Sequence, residues 1–297
     1  MKHLILPQLK LNRPNLSESS LKTYISLLTN VFKHLRKEGD DETLEWFDKN
    51  EKHILESMND MQPSRRKTTL SALFILTKSD KVHEQMLADA KSTNETYKDQ
   101  KMSVKEHDNW ITTDEIKEIY DSMKSKVILM FKNKLPLEYD LVNKFFLLGC
   151  LAGCSGIPPR RSLDYALMKI KNFDKTTDNY YQKDTFVYNK YKTSAHYGQQ
   201  QIDVKKDAPE FNKMIKKWIT INPTDYLLFS SNQQPLTSSQ ISKMLNKIFD
   251  KHVSVDMLRH IFLTETYKDI PALKQMDQLA SDMGHSFNQA MLYVKKS

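Results

Sequence analysis

Alternation of apolar and polar residues, the two-residue period of a strand, occupies one short region of this chain. Phe186-Val187-Tyr188-Asn189-Lys190-Tyr191 and Gln201-Ile202-Asp203-Val204 carry it, with a polar stretch containing Gly198 between them. That pattern predicts a β-hairpin. Elsewhere the apolar residues recur at three and four, the period of an amphipathic helix. From Ser17 to Lys37 the residues Leu21, Tyr24, Leu27, Leu28, Val31, Phe32 and Leu35 fall on one face, and Ser17 can serve as N-cap. Further helices are predicted over 41–49, 52–58 and, after Pro63, 64–78. Leu141 to Gly153 reads as a strongly apolar helix, stopped by Gly153 and Gly156 ahead of Pro158-Pro159. From Pro209 onward the pattern is helical again, Leu227-Leu228-Phe229 excepted. The expected class is mainly α with a small β-sheet (α+β).

The stretch from Lys91 to Asp108 is rich in Lys, Asn, Asp and Thr and has no apolar period, so it reads as a linker. Beyond it, Trp110-Ile111-Thr112-Thr113-Asp114-Glu115-Ile116 carries a helix start, with a threonine to cap and acids in the first turn. A chain of 297 residues suits two domains. The expectation is a helical N-terminal domain over 1–105, with its linker near 91–108, and a mixed α/β domain over 109–297.

Charge narrows the partners. The formal net charge is +8 and the pI about 9.1, which suits a polyanion without specifying which. No run of about 18 apolar residues offers a membrane span. The opening Met1-Lys2-His3-Leu4-Ile5-Leu6-Pro7 is too briefly apolar for a secretory signal, whose apolar region needs roughly 7 to 15 residues. An intracellular, non-membrane location is expected. Cys150 and Cys154 lie within an apolar helical stretch that buries them as small hydrophobes, and no Cys/His cluster stands at ligand spacing. No metal site and no cofactor are expected.

Three segments carry chemistry when taken together. Tyr293 follows Gly284-His285-Ser286, where glycine allows a tight turn that presents the histidine at a helix start. In Val255-Asp256-Met257-Leu258-Arg259-His260-Ile261-Phe262 the apolar residues bury one face of a helix and Arg259 projects from another. Arg160-Arg161-Ser162-Leu163-Asp164 adds a further cationic pair. Singly, a late tyrosine is a packing residue, a lone histidine is structural, and a turn arginine is solvated. Jointly, they are what phosphodiester attack requires. A phenolate attacking phosphorus builds negative charge on the non-bridging oxygens, which planar guanidinium groups clamp bidentately. A histidine can hydrogen-bond those oxygens or move a proton, and a lysine can protonate the departing 5′ oxygen. The phosphotyrosine ester keeps the energy of the broken bond, so religation needs neither ATP nor metal.

In the order of these residues the chain resembles the tyrosine recombinases, or phage-type integrases, a family with members in large DNA viruses and mobile elements. Arg161-Ser162-Leu163-Asp164 matches the family's first arginine with an acid three residues on, and Arg160 is the alternative register. Lys192, in Tyr191-Lys192-Thr193, corresponds to the hairpin lysine. The His-x-x-Arg-His box is Asp256-Met257-Leu258-Arg259-His260 here. Asp256 replaces the usual histidine, and His260 either compensates in part or packs. His285 takes the second histidine position and Tyr293 that of the nucleophile. The resemblance therefore implies Arg161, Lys192, Arg259, His285 and Tyr293 as catalytic residues, with His260, Asp256 and Arg160 in support.

The N-terminal part resembles the family's core-binding domain, with Ser17 to Tyr24 as its opening helix. Arg65-Arg66-Lys67 are its candidate phosphate contacts, since such cations supply sequence-independent DNA affinity. The implied partners are double-stranded DNA and other protomers on it, in a tetrameric synapse. Only Val294-Lys295-Lys296-Ser297 follow Tyr293, from which a monomer off DNA is expected. The implied task is site-specific integration or recombination through a 3′-phosphotyrosine. A type IB topoisomerase would use the same chemistry to relax supercoils. A DNA-binding protein of the same fold without catalysis is the third reading, motivated by Asp256.

Overall fold

A computed structural model describes residues 1–284 and 286–293. The architecture is mainly helical, with one small antiparallel sheet. The chain divides into two compact units, Met1–Lys101 with the described residues from Pro271 onward, and Met102–Ile270. Among the described residues no helix is long and apolar enough to cross a membrane.

The first unit begins with α1 (Lys2–Asn12), α2 (Glu18–Leu35), α3 (Glu45–Lys49), α4 (Glu51–Ser57), α5 (Pro63–Thr77) and α6 (Asp80–Lys98). Ser17 caps α2 as its sequence predicts, its Oγ accepting from the Ser20 N–H at 3.2 Å. Ile5, Leu28, Phe32, Phe47 and Leu70 are fully or almost fully buried in its core. Each such side chain contributes about 1.5–3 kcal/mol by leaving water.

The linker expected over 91–108 differs from what forms there. Helix α6 runs on to Lys98, because its buried face at this end is polar. Asp89 and Thr93 are buried, Thr93 Oγ1 donates to the Asp89 carbonyl at 2.7 Å, and Asp89 receives the Arg66 fork. Hydrogen bonds replace the apolar stripe, so periodicity does not register this part of the helix.

The second unit holds α7 (Val104–Asn109), α8 (Thr113–Phe131), α9 (Tyr139–Leu151) and α10 (Ser162–Ala166), then β1 (Tyr180–Gln182), β2 (Thr185–Tyr188), α11 (Ser194–Tyr197), β3 (Gln200–Asp203), α12 (Val204–Asp207), α13 (Pro209–Ile221), α14 (Ser238–Phe249) and α15 (Val255–Thr266). Thr112 caps α8 in a reciprocal capping box with Glu115. Helix α9 is buried over Val142, Phe145, Phe146, Leu147, Leu148 and Leu151, as expected of a helix apolar all round. It is the axis on which the unit packs.

Strands β2 and β3 form the predicted hairpin, paired through Phe186↔Ile202 and Tyr188↔Gln200. The sheet has a further strand, β1, joined to β2 by Lys183 and Asp184, both at positive φ. Two consecutive left-handed residues give the hairpin twist usually supplied by Asn-Gly.

Helices α16 (Leu273–Asp282) and α17 (Phe287–Tyr293) return to the first unit. The end of α6 holds α16. Lys98 Nζ lies 3.3 Å from Asp277, Lys274 pairs with Asp99, and the Leu273 N–H donates to Gln100 Oε1 at 2.8 Å.

Candidate active site

The turn that carries Arg160 and Arg161 is wedged between two helices. Past α9 the chain passes Gly153 at φ +78° and Gly156 at φ +98°. A Cβ at 153 would overlap the Phe262 ring of α15, and one at 156 would meet the Asp207 carbonyl. These glycines let the turn press against α15 and the α12–α13 junction. Phe262 stands one turn after Arg259, so the segments bearing the two arginines are packed together.

The adjacent arginines have different surroundings. Arg160 donates from Nε to Asp164 Oδ2 at 2.9 Å and from Nη1 to Gln200 Oε1 at 2.8 Å. Its guanidinium also lies over the Tyr188 ring at 3.9 Å and near the Tyr191 ring at 5.0 Å, a stacked arrangement that suits a planar cation. Arg161, the N-cap residue of α10, is half-buried; its carbonyl accepts from the Asp164 N–H at 3.0 Å, and its side chain makes no hydrogen bond or ion pair among the described residues. Asp164 is 2% exposed, and its Oδ1 has no hydrogen-bond partner. Burial pushes its carboxyl up, against the opposing charges of Arg160 and Arg161.

Lys192 is exposed on the connection between β2 and β3. That connection is fastened on both sides. Tyr191 Oη donates to the Gly198 carbonyl at 2.8 Å. Asn179, buried, donates from Nδ2 to the carbonyls of Asp164 at 3.1 Å and Lys190 at 2.8 Å. With the Arg160 stack on Tyr191, two independent contacts tie the lysine's segment to α10.

Helix α15 begins at a Ser254 cap whose Oγ accepts from the Met257 N–H at 3.1 Å. Val255, Met257, Leu258 and Ile261 are buried, which turns Asp256, Arg259 and His260 outward. Arg259 Nη1 donates to Asp256 Oδ1 at 2.9 Å. His260 Nδ1 is 3.0 Å from Glu106 Oε1, and its Nε2 is 3.7 Å from Asp256 Oδ2. Glu106 is absent from the residues singled out above, because it falls in the stretch read as linker. A signal was present in Ser103-x-x-Glu106, the spacing of a capping box, which the structure forms.

Tyr293 is the last residue of α17, which follows Gly284 at φ +71°. The helix after the Gly-His-Ser turn is thus present. His285 and the side chain of Tyr293 lie outside the described residues. In the first unit, Arg65 is exposed and Lys67 half-buried near the start of α5. Arg66 is committed within the unit, donating from Nε and Nη2 to Asp89 at 2.8 and 2.7 Å and lying 3.3 Å from the carbonyls of Met58 and Asn59. Cys150 and Cys154 are free thiols. Burial drives both up, Cys154 to about 12.

No family model matches the chain, and no curated protein matches it. Among solved structures it is similar to the crystal structure of XerA recombinase, at 15% identity and a TM-score of 0.36 over 99% of this chain and 94% of that one. It is also similar to XerH site-specific recombinase bound to its difH substrate in a pre-cleavage complex, at 14% identity and a TM-score of 0.40 over 99% of this chain and 91% of that one.

Proposed function

We propose that the chain is a tyrosine-type DNA strand transferase that cleaves and rejoins duplex DNA at specific sites through a 3′-phosphotyrosine. The observation that carries this reading is the convergence of three cation-bearing segments within the second unit. Gly153 against Phe262 joins the Arg161 turn to the Arg259 helix. Arg160 on Tyr191, with Asn179 between Asp164 and Lys190, joins that turn to the segment of Lys192. The side chains of Arg161 and Lys192 make no hydrogen bond or ion pair among the described residues, and cations so placed suit a phosphate.

In the proposed step the Tyr293 oxygen bonds to phosphorus as the bond from phosphorus to the 5′ oxygen breaks. The phenolic proton passes to a base, and the 5′ oxygen takes a proton from Lys192. Arg161 and Arg259 hold the non-bridging oxygens, whose charge rises in the transition state. Reversal with a new 5′ hydroxyl rejoins the strand. Outside the second unit, Arg65 and Lys67 are the phosphate contacts of the first, and Arg66 is an internal brace. The partners are double-stranded DNA and further protomers on it, in a tetrameric synapse.

Nicked suicide duplexes, tiled across the DNA flanking the coding sequence, test this. A denaturation-resistant adduct formed by the wild type and absent with Tyr293→Phe is the expected result. One specific observation favours a second reading. Asp256, which pairs with Arg259, puts a carboxylate beside the anion-binding guanidinium, as a catalytically impaired DNA-binding protein would tolerate. Tight binding of the same duplexes with no adduct would establish that reading instead.

A further inference from the structure

The polar face of α15 contains a histidine with a carboxylate on each side. Glu106 reaches it from α7 and Asp256 from its own helix. The two carboxylates are not equivalent. Glu106 is fixed by a capping box, its Oε2 accepting from the Ser103 N–H at 2.8 Å and the Ser103 hydroxyl at 2.7 Å. Those two bonds, with His260 adding to them, hold its carboxyl below the usual range. An ionised carboxylate only accepts hydrogen bonds. The proton on the 3.0 Å contact therefore belongs to His260 Nδ1. When the ring is neutral, Nε2 then carries the lone pair. Nε2 stands 3.7 Å from Asp256 Oδ2, beyond hydrogen-bond reach.

We propose that Glu106 is a positioning residue for strand cleavage, orienting His260 in its Nδ1–H form so that Nε2 accepts the proton of the attacking hydroxyl. The role rests on the strand-transferase reading given above. It accounts for an otherwise awkward substitution. The box containing Arg259 has aspartate where a histidine is usual, and an aspartate beside Arg259 cannot hydrogen-bond a phosphate oxygen unless protonated. His260 lies one helical turn from Asp256 and next to Arg259, so a proton acceptor remains on the same face. The imidazolium formed in the step is stabilised by both Glu106 and Asp256. This division of labour, in which a carboxylate fixes the tautomer and a ring nitrogen moves the proton, is general to acid–base catalysis.

Glu106 also caps α7, so the test must separate orientation from folding. Adduct formation on a suicide duplex is timed at saturating DNA for Glu106→Gln, His260→Ala, the double variant and Ser103→Ala, with DNA affinity measured alongside. Ser103→Ala removes the same cap and leaves the His260 contact. The expected result is a loss of about tenfold for Glu106→Gln, a fraction of the roughly 10²–10⁴-fold that acid–base catalysis supplies, with affinity unchanged. No further loss is expected from adding Glu106→Gln to His260→Ala. Equal losses in both backgrounds, or a Ser103→Ala variant as slow as Glu106→Gln, would overturn the proposal. Nitrogen-15 NMR of the His260 ring supplies a readout independent of activity. Protonation at Nδ1 in the wild type, relaxed in Glu106→Gln, is expected, and protonation at Nε2 in the wild type overturns the dyad. Failure of the parent reading looks different, since the wild type would then form no adduct at all.

Discussion

Replacing Arg160 by alanine should destabilise the second unit far more than the same change at Arg161, although the two are neighbours in sequence. The Arg160 guanidinium is the hydrogen-bonding partner of Asp164 Oδ2, and the two side chains are 17% and 3% exposed. Asp164 Oδ1 already has no partner. Deleting the arginine leaves a buried carboxylate without its hydrogen-bonded cation and with only the more distant Arg161 charge, a change that costs roughly 3–5 kcal/mol. Loss of the stack on Tyr188 adds about 0.5–2 kcal/mol, and part of the total is recovered if Asp164 takes up a proton. A net loss of about 4 kcal/mol corresponds to about 8–16 °C in the melting temperature of a unit this size. The loss should also depend on pH. Burial already raises the Asp164 carboxyl, and removing Arg160 raises it further. An acid whose folded value is raised holds its proton more tightly when folded, so its contribution favours folding at low pH and is lost as pH rises from the unfolded value through the folded one. The deficit of Arg160→Ala relative to wild type should therefore be larger at pH 8 than at pH 5. Scanning calorimetry at the two pH values is the assay. Arg161→Ala, with no described pair to lose, should stay within about 0.5 kcal/mol. Equal melting temperatures for the two variants would refute the division into a structural and an available guanidinium.

Three other outcomes follow from contacts described above. Gly153→Ala combines a positive φ with overlap on Phe262 and should cost at least about 2 kcal/mol, whereas Gly198→Ala, with open space around its Cβ, meets no side chain and carries only the backbone strain of φ 65° and ψ −158°, about 1–3 kcal/mol; chemical denaturation measures both, and relief by Phe262→Ala should be confined to the Gly153 variant. Arg65→Ala and Lys67→Ala should each reduce the salt dependence of DNA binding by about one phosphate contact without lowering the melting temperature. Arg66→Ala should lower that temperature through the unpaired Asp89. Finally, neither cysteine should react with a thiolate-specific reagent at pH 8, because burial suppresses both thiolates; labelling should appear only with denaturant.

Much of this architecture is readable from residue order. The Ser17 and Thr112 caps, the apolar α9 and the β2–β3 hairpin follow from local patterns whose physics is local. The parts that escape do so for identifiable reasons. Strand β1 spans three residues, too few to show a period of two, and its turn uses Lys183-Asp184 without a glycine. Helix α6 buries Asp89, which finds its partner on α5, and Thr93, which bonds back to the Asp89 carbonyl. The assignment between Arg160 and Arg161 depends on Gln200, Tyr188 and Tyr191, all distant in sequence, so adjacent arginines look interchangeable until the chain is folded. Glu106 has a legible cap, but its contact with His260 crosses 154 positions.

The hold of α6 on α16 bears on how the protein can be dissected. Tyr293 sits beyond the second unit in the chain, yet α16, which precedes its helix, is tied to Lys98, Asp99 and Gln100. A fragment starting at Met102 would carry this tail without the residues that anchor it, and one ending at Lys101 would keep the anchor without its tail. The first unit is thus drawn from two separated stretches of the sequence, so no single cut separates the two units, and a fragment meant to keep α16 on its anchor must join those stretches.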